Sequence, residues 1–123
     1  MNRGLLAMAG TLGLTAVMLG AFGAHGLRDR LGAAMIEVYR TGVLYHLVHA
    51  LAVLAVALGA DRLRRPRLVA GLFCAGIVVF SGTLYLLAIT GMTWLGAVTP
   101  VGGLLLMAGW ATVLIEGFRR PPT

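Results

Sequence analysis

The chain has 123 residues, of which 59% are hydrophobic and only 11% are charged. Soluble domains have about 25% charged residues, so this composition excludes an ordinary water-soluble fold. The net charge of +6 comes from ten Arg against four acidic residues. Because these Arg lie at the ends of apolar segments, they indicate membrane topology and anionic lipid headgroups rather than nucleic acid.

The length fits four transmembrane helices. A hydrocarbon core about 30 Å thick requires roughly 20 residues per span, so four spans leave only short connections and no second domain. We therefore predict an all-α integral membrane protein, a compact four-helix transmembrane bundle that forms a single domain over residues 1–123.

The first span is predicted over residues 4–24, an uncharged segment that follows Arg3 and ends at a polar stretch. A secretory signal peptide is the alternative interpretation. Its apolar region usually has about 7–15 residues, fewer than this segment, so we expect the segment to be retained as a transmembrane helix.

An amphipathic connection follows over residues 27–40, with charged side chains set among Leu31, Met35, Ile36 and Tyr39. Their spacing is helical, which predicts an interfacial helix on the membrane surface. We expect it to bend into the second span at Thr41-Gly42.

The second span is predicted over residues 43–60 and the third over residues 68–90. The loop between them, residues 61–67, carries four Arg and contains Pro66. Proline suits the first turn of a helix, where its missing N–H would have no intrahelical partner.

The third span should end at Gly91, since glycine readily adopts the left-handed conformation that closes helices. An uncharged turn over residues 92–98 leads to Thr99-Pro100, where Thr99 is a candidate cap and Pro100 a candidate first residue of the fourth helix. That helix is predicted over residues 100–118.

The distribution of Arg predicts the orientation of the bundle. Four spans put both termini and the second loop on one face, which then holds seven Arg. The opposite face holds three Arg. The positive-inside rule makes the first face cytoplasmic, so we expect both termini in the cytoplasm of a multi-pass inner (plasma) membrane protein. The two sets are Arg3, Arg62, Arg64, Arg65, Arg67, Arg119 and Arg120, against Arg28, Arg30 and Arg40.

All three histidines fall near one level, on the predicted outer half of the bundle. His25 ends the first span, and His46 and His49 lie one helical turn apart at the start of the second. We expect them to converge and to hydrogen-bond across helices. Metal or haem ligation is one alternative, although two His at this spacing are a weak signal, and proton relay or substrate binding is another. No cofactor is predicted.

Hydroxyl groups on the third span are candidates to meet these imidazoles. Ser81 and Tyr85 lie on one face of that helix, near Thr83. We weigh this against simple bonding of the hydroxyls to backbone carbonyls, which is the more common role. Cys74, inside an apolar segment, is interpreted as a small buried hydrophobic residue.

These residues carry a resemblance to a known family, the domain of unknown function 423, which includes small bacterial inner-membrane proteins and the animal transmembrane protein 256. The resemblance covers nearly the whole chain and implies four spans, with no established activity. It adds Tyr45 and Thr99 to the candidate ligand-binding residues, which are then His25, Tyr45, His46, His49, Ser81, Tyr85 and Thr99. The motifs are residues 20–27 (GAFGAHGL), Tyr45-His46, His49-Ala50, Phe80-Ser81-Gly82, Leu84-Tyr85, Leu95-Gly96, Thr99-Pro100, Gly102-Gly103 and Gly109-Trp110.

Three functional hypotheses follow. In the first, a non-enzymatic protein binds or passes a small ligand, ion, proton or lipid through a His-lined pocket, as a homo-oligomer formed through Gly-rich faces at residues 10–20 or 102–109. In the second, the chain is a structural or assembly subunit of a larger membrane complex. An enzyme acting on a lipid or quinone is third, because the acids lie outside or at the edges of the spans: Asp29, Glu37, Asp61 and Glu116.

Overall fold

The computed structural model describes residues 1–120, so the last three residues of the predicted domain lie outside the described part. It contains four long helices, α1 (Arg3–Phe22), α2 (Ala33–Leu58), α3 (Pro66–Thr90) and α4 (Leu95–Phe118). All four are long and apolar enough to cross a membrane. The prediction of an all-α fold with four transmembrane helices is confirmed.

The first helix does not stop at Ala24. It continues as a π-helical turn over Gly23–Leu27, so His25 belongs to the helical segment rather than to a loop. At its start, the side chain of Asn2 accepts a hydrogen bond from the Leu5 N–H at 3.0 Å and caps the helix.

The amphipathic segment is helical only from Ala33 onward, since residues 28–31 form a turn and a bend, and the helix does not break at Thr41-Gly42. Helix α2 runs from Ala33 to Leu58 without interruption. Thr41 lies inside this helix, and its hydroxyl donates to the carbonyl of Glu37 at 2.9 Å. Gly42 serves packing instead of bending, since a Cβ there would lie 2.8 Å from Cε1 of Tyr85.

The start of the fourth helix was predicted wrongly. Gly91 closes α3 with a positive φ of 72°, as expected, but α4 begins at Leu95. Thr99 and Pro100 therefore lie inside the helix, where the Thr99 hydroxyl donates to the carbonyl of Leu95 at 3.1 Å. A proline this close to a helix start removes only one backbone hydrogen bond.

The helices pack in chain order: α1 on α2, α2 on α3 and α3 on α4. Helix α1 barely touches α3, so the bundle is less closed than a compact square arrangement. Two clefts result, one between α1 and α3 and the other between α2 and α4. The buried core lies along the central pair, with Val53, Val69 and Phe73 fully enclosed.

Glycine allows α3 and α4 to approach closely, as predicted for a tight bundle. The space that a Cβ would need at Gly76, Gly102 and Gly109 is occupied by Leu106, Phe80 and Phe73, respectively. By contrast, a Cβ added at Gly10 or Gly13 of α1 would meet no atom within 4 Å. Of the two predicted oligomer faces, the one on α4 is therefore largely occupied within the chain, and the one on α1 is open.

Candidate functional site

His46 connects three helices near the middle of the fold. Its Nδ1 lies 2.9 Å from the hydroxyl of Tyr85 on α3, and its Nε2 lies 3.2 Å from the hydroxyl of Thr15 on α1. The side chain is buried, with 5% of its surface exposed. Hydrogen bonding across helices, the role expected first, is what the structure shows at this residue.

The partners of Thr15 indicate the direction of these hydrogen bonds. The Thr15 oxygen lies 2.9 Å from the carbonyl of Thr11 and 3.0 Å from that of Leu12, and its single proton can go to either. The Thr15 oxygen then accepts from Nε2–H of His46, and Nδ1 accepts from the hydroxyl of Tyr85. This polarity gives each donor proton an acceptor, and it makes His46 a neutral imidazole protonated on Nε2.

This network forms the floor of the cleft between α1 and α3, which has a volume of about 260 Å³. His46, Tyr85, Thr15 and Ser81 supply its polar groups. The walls are otherwise apolar. Gly82 lines the cleft, and a Cβ added there would meet no atom within 4 Å. The site is thus a membrane-facing groove with a small polar patch at its base.

A second tyrosine, Tyr39, packs beside this network on the side of the predicted outer end of the bundle. Tyr39 is almost completely buried, its hydroxyl donates to the carbonyl of Leu19, and its ring centroid lies 5.1 Å from that of Tyr85. The ring of Tyr39 occupies the place of a side chain at Gly23, where the π turn begins. Glycine at that position therefore lets α1 and α2 close around the tyrosine.

His49 serves a different part of the molecule. Its Nε2 accepts a hydrogen bond of 2.9 Å from the indole N–H of Trp110 on α4. Because indole is only a donor, the proton of His49 must lie on Nδ1, which donates to the carbonyl of Tyr45 at 2.7 Å. His46 and His49 thus share one helix but adopt opposite tautomers and bind different partners.

Ser81 and Thr99 also make contacts between helices. The buried hydroxyl of Ser81 donates to the carbonyl of Gly42 at 2.7 Å, which joins α3 to α2. The hydroxyl of Thr99 lies 2.7 Å from that of Thr83, which joins α4 to α3. Ser81 lies in the cleft beside Tyr85, whereas Thr99 is outside it.

The structure does not bring all the predicted site residues together. His25 is exposed on the π turn, away from the two buried imidazoles. Tyr45 is 40% exposed, and its ring packs on Phe80 with centroids 4.5 Å apart. The expected convergence assumed that all three histidines lie at one level, but Thr15 is the residue of the first helix that reaches His46. His25 follows Thr15 along the same helical segment and therefore lies about 15 Å farther along it.

The described part of the chain contains no group of three or more His, Cys, Asp or Glu side chains placed to hold a metal ion. Both nitrogens of His46 and of His49 already have hydrogen-bond partners. A metal at either histidine would first have to displace one of these partners.

Sequence reasoning missed Thr15, Tyr39 and Trp110 as polar partners. Tyr39 belongs to the predicted interfacial segment, whereas Thr15 and Trp110 lie within the first and fourth predicted spans, where nothing in the local sequence pairs them with a histidine. These partners could be recognised only as polar atoms that lie opposite a buried histidine, and which atoms lie opposite depends on how the helices pair. A second missed contact is at the arginine-rich end, where the buried carboxylate of Glu116 accepts from the Arg64 N–H at 2.9 Å.

Comparison with known proteins gives one consistent result. The profile of the family described as Protein of unknown function (DUF423) matches residues 19–103. The UPF0382 membrane protein YwdK of Bacillus subtilis is 47% identical over 86% of this chain and 89% of its own length. The UPF0382 inner membrane protein YgdD of Escherichia coli K12 is 39% identical over 96% of this chain and 92% of its own.

A UPF0382 membrane protein of Haemophilus influenzae is 38% identical over 97% of both chains. No solved structure matches the chain significantly. Together with the four helices that are long enough to cross a bilayer, these relatives confirm the predicted location in the inner (plasma) membrane.

Proposed function

This chain belongs to the DUF423 family of membrane proteins, and we propose that it binds a lipophilic small molecule in the cleft between α1 and α3. The ligand lies along the apolar walls and places a hydrogen-bonding group on the hydroxyl of Tyr85. This proposal makes the predicted His-lined pocket more specific, since His46 then acts through Tyr85 and His49 is not part of the site.

The observation that carries the proposal is the position of the His46–Tyr85 pair at the base of an open cleft. Polar and ionisable groups inside a membrane are costly and usually have a functional reason. A pair needed only to join α2 and α3 would be equally effective in a closed interface. Here the lining includes Gly82, which leaves empty space beside the polar patch.

The hydrogen-bond directions define the chemistry of the ligand. The protons of Tyr85 and Ser81 point inward, to His46 and to the Gly42 carbonyl. Their oxygens retain free lone pairs, so the base of the cleft accepts hydrogen bonds. We therefore propose a ligand with a donor group on a hydrocarbon body, such as a long-chain alcohol or a protonated fatty acid.

Photolabelling with a long-chain alcohol that carries a diazirine on its alkyl chain tests this. In purified protein, we expect crosslinks on peptides of α1 and α3 that line the cleft. Unlabelled alcohol should compete, whereas its methyl ether, which has no donor, should compete weakly. The variant Gly82→Leu should abolish labelling because its side chain fills the cleft.

Gly71→Leu is the matched control on the same helix. A Cβ added at Gly71 would also meet no atom within 4 Å, but Gly71 does not line the cleft. Labelling that survives Gly82→Leu, or that alcohol and ether block equally, would contradict the proposal.

The assembly-subunit hypothesis is a second candidate, favoured by a different observation. Within residues 1–120, every buried side-chain nitrogen and oxygen has a hydrogen-bond partner, as expected of a network that only fixes the helices together. This hypothesis predicts a stoichiometric partner protein after isolation in mild detergent. A homo-oligomer through the open Gly10 and Gly13 face, without another subunit, would count against it.

A further inference from the structure

The cleft between α2 and α4 differs in chemistry from the one between α1 and α3. It has a volume of about 330 Å³ and an almost entirely apolar surface. Small side chains of α2, including Ala52 and Ala55, form one wall, and Val113 of α4 contributes to the other. Buried Phe73 and half-exposed Trp110 also line the groove, and Arg62, in the turn after α2, lies at its rim.

No side chain of the described residues covers this groove from outside. Ala55 is exposed, and a Cβ built at Gly59 would meet only the carbonyl of Ala55, at 3.4 Å. Trp110 is 47% exposed there, although its N–H is bonded to His49. An acyl chain of the membrane has the shape and polarity that such a groove accommodates.

Charge at the rim identifies which lipid headgroup fits. Arg62 stands among a cluster of cationic residues at this end of the bundle, and the nearby acids have other partners. Asp61 pairs with the N-terminal ammonium group, and the carboxylate of Glu116 accepts from the Arg64 backbone. Within residues 1–120 no guanidinium group forms an ion pair. The remaining members of the cluster are Arg3, Arg64, Arg65, Arg67, Arg119 and Arg120.

We propose that an anionic phospholipid binds here, with one acyl chain in the α2/α4 groove against Trp110 and its phosphate on Arg62. Basic pockets between transmembrane helices bind anionic headgroups in this way. The site is independent of the α1/α3 cleft, so either proposal can fail without the other. The lipid site gives Arg62 a role that the other Arg residues of the cluster do not share, whereas their effect on membrane topology is the same.

Trp110 supplies a direct readout. In a Trp94→Phe background it is the remaining tryptophan of the chain, and bromine on a lipid acyl chain quenches its fluorescence on contact. The protein is reconstituted in phosphatidylcholine vesicles containing a small fraction of brominated phosphatidylglycerol or of brominated phosphatidylcholine. We expect the phosphatidylglycerol to be preferred at Trp110 by roughly fivefold or more, the factor that one Arg contributes at an anionic surface.

Two variants make the test specific. Arg62→Gln should remove the preference for phosphatidylglycerol while leaving quenching by either lipid possible. Ala55→Phe, at an exposed position, should fill the groove and reduce quenching by both lipids. Arg67→Gln is the matched control, because it removes the same charge from an exposed position outside the groove.

Equal quenching by the two lipids in the Trp94→Phe protein overturns the proposal, since it means ordinary contact with surrounding lipid. A preference that Arg67→Gln reduces as much as Arg62→Gln overturns it as well, because general surface charge then explains the effect. Far-UV circular dichroism and size-exclusion profiles that match the parent protein establish that each variant is folded.

Discussion

The Nδ1 atom of His46 lies 2.9 Å from the hydroxyl of Tyr85, and this pair joins the two central helices. Thr15 extends the link to α1 through the other ring nitrogen. Three of the four helices are thereby joined at one side chain, directly beneath a cleft that opens to the membrane. Stability and ligand binding should consequently respond together when this residue is changed.

Replacement of His46 tests the energetic value of the link. His46→Ala should lower the free energy of unfolding by about 1–2 kcal/mol, since hydrogen bonds between transmembrane helices contribute on average about 0.6 kcal/mol each and two are lost. Tyr85→Phe removes one hydroxyl and should cost less. Unfolding in mixed micelles by increasing amounts of sodium dodecyl sulfate measures both changes.

The double variant distinguishes coupling from simple loss of packing. If His46 and Tyr85 interact, the two changes together should cost less than the sum of the single changes, by about 0.6–1.7 kcal/mol. Strict additivity would mean that the hydrogen bond contributes nothing to stability. His25→Ala, at an exposed position, is the control and should leave stability unchanged.

The two buried histidines should differ in tautomer. His46 is expected as the Nε2–H form and His49 as the Nδ1–H form, because Trp110 can only donate to Nε2 of His49. Ring nitrogen chemical shifts in protein with ¹⁵N-labelled histidine distinguish the two forms. Trp110→Phe should change the His49 signals and leave those of His46 in place. Identical tautomers at the two sites would contradict the hydrogen-bond assignment.

Much of this architecture could be predicted from the sequence, because length, apolar runs and Arg positions are properties of single segments. The ends of α3 could likewise be predicted, because Pro66 and Gly91 act on the backbone of their own segment. The contact of Tyr85 with His46 was also among the expected pairings. What the sequence did not determine was how α1 and α2 are aligned along their axes, which separates His25 from His46 and brings Thr15 into contact with His46.

The start of α4 illustrates a second limit. Thr99-Pro100 has the local pattern of a helix start, yet the helix begins at Leu95, more than one turn earlier. The Thr99 hydroxyl is satisfied by the Leu95 carbonyl and by Thr83 of the neighbouring helix. A tertiary contact therefore uses a residue that local reasoning assigned to capping.

The orientation of the bundle remains a prediction of charge alone. Both termini should be cytoplasmic, because their face holds seven of the ten Arg. Green fluorescent protein fused after the last helix should fluoresce, and alkaline phosphatase fused there should be inactive. Reporters inserted between α3 and α4 should give the reverse pattern. An active phosphatase at the C-terminal fusion would require the opposite orientation, and the Arg62 end of the α2/α4 groove would then lie in the outer leaflet.

Adjacent glycines on α4 provide a test of helix packing with the control built into the chain. A Cβ at Gly102 would collide with the backbone of Phe80, whereas a Cβ at Gly103 would lie 3.8 Å from the Phe80 ring. Gly102→Ala must therefore push α3 and α4 apart and should cost about 1–3 kcal/mol, as for other overpacked cores. Gly103→Ala should be neutral, or should stabilise by up to about 1 kcal/mol through the higher helix propensity of alanine. The same micellar unfolding measurement compares them, and equal costs at the two positions would show that α3 and α4 do not meet at Gly102.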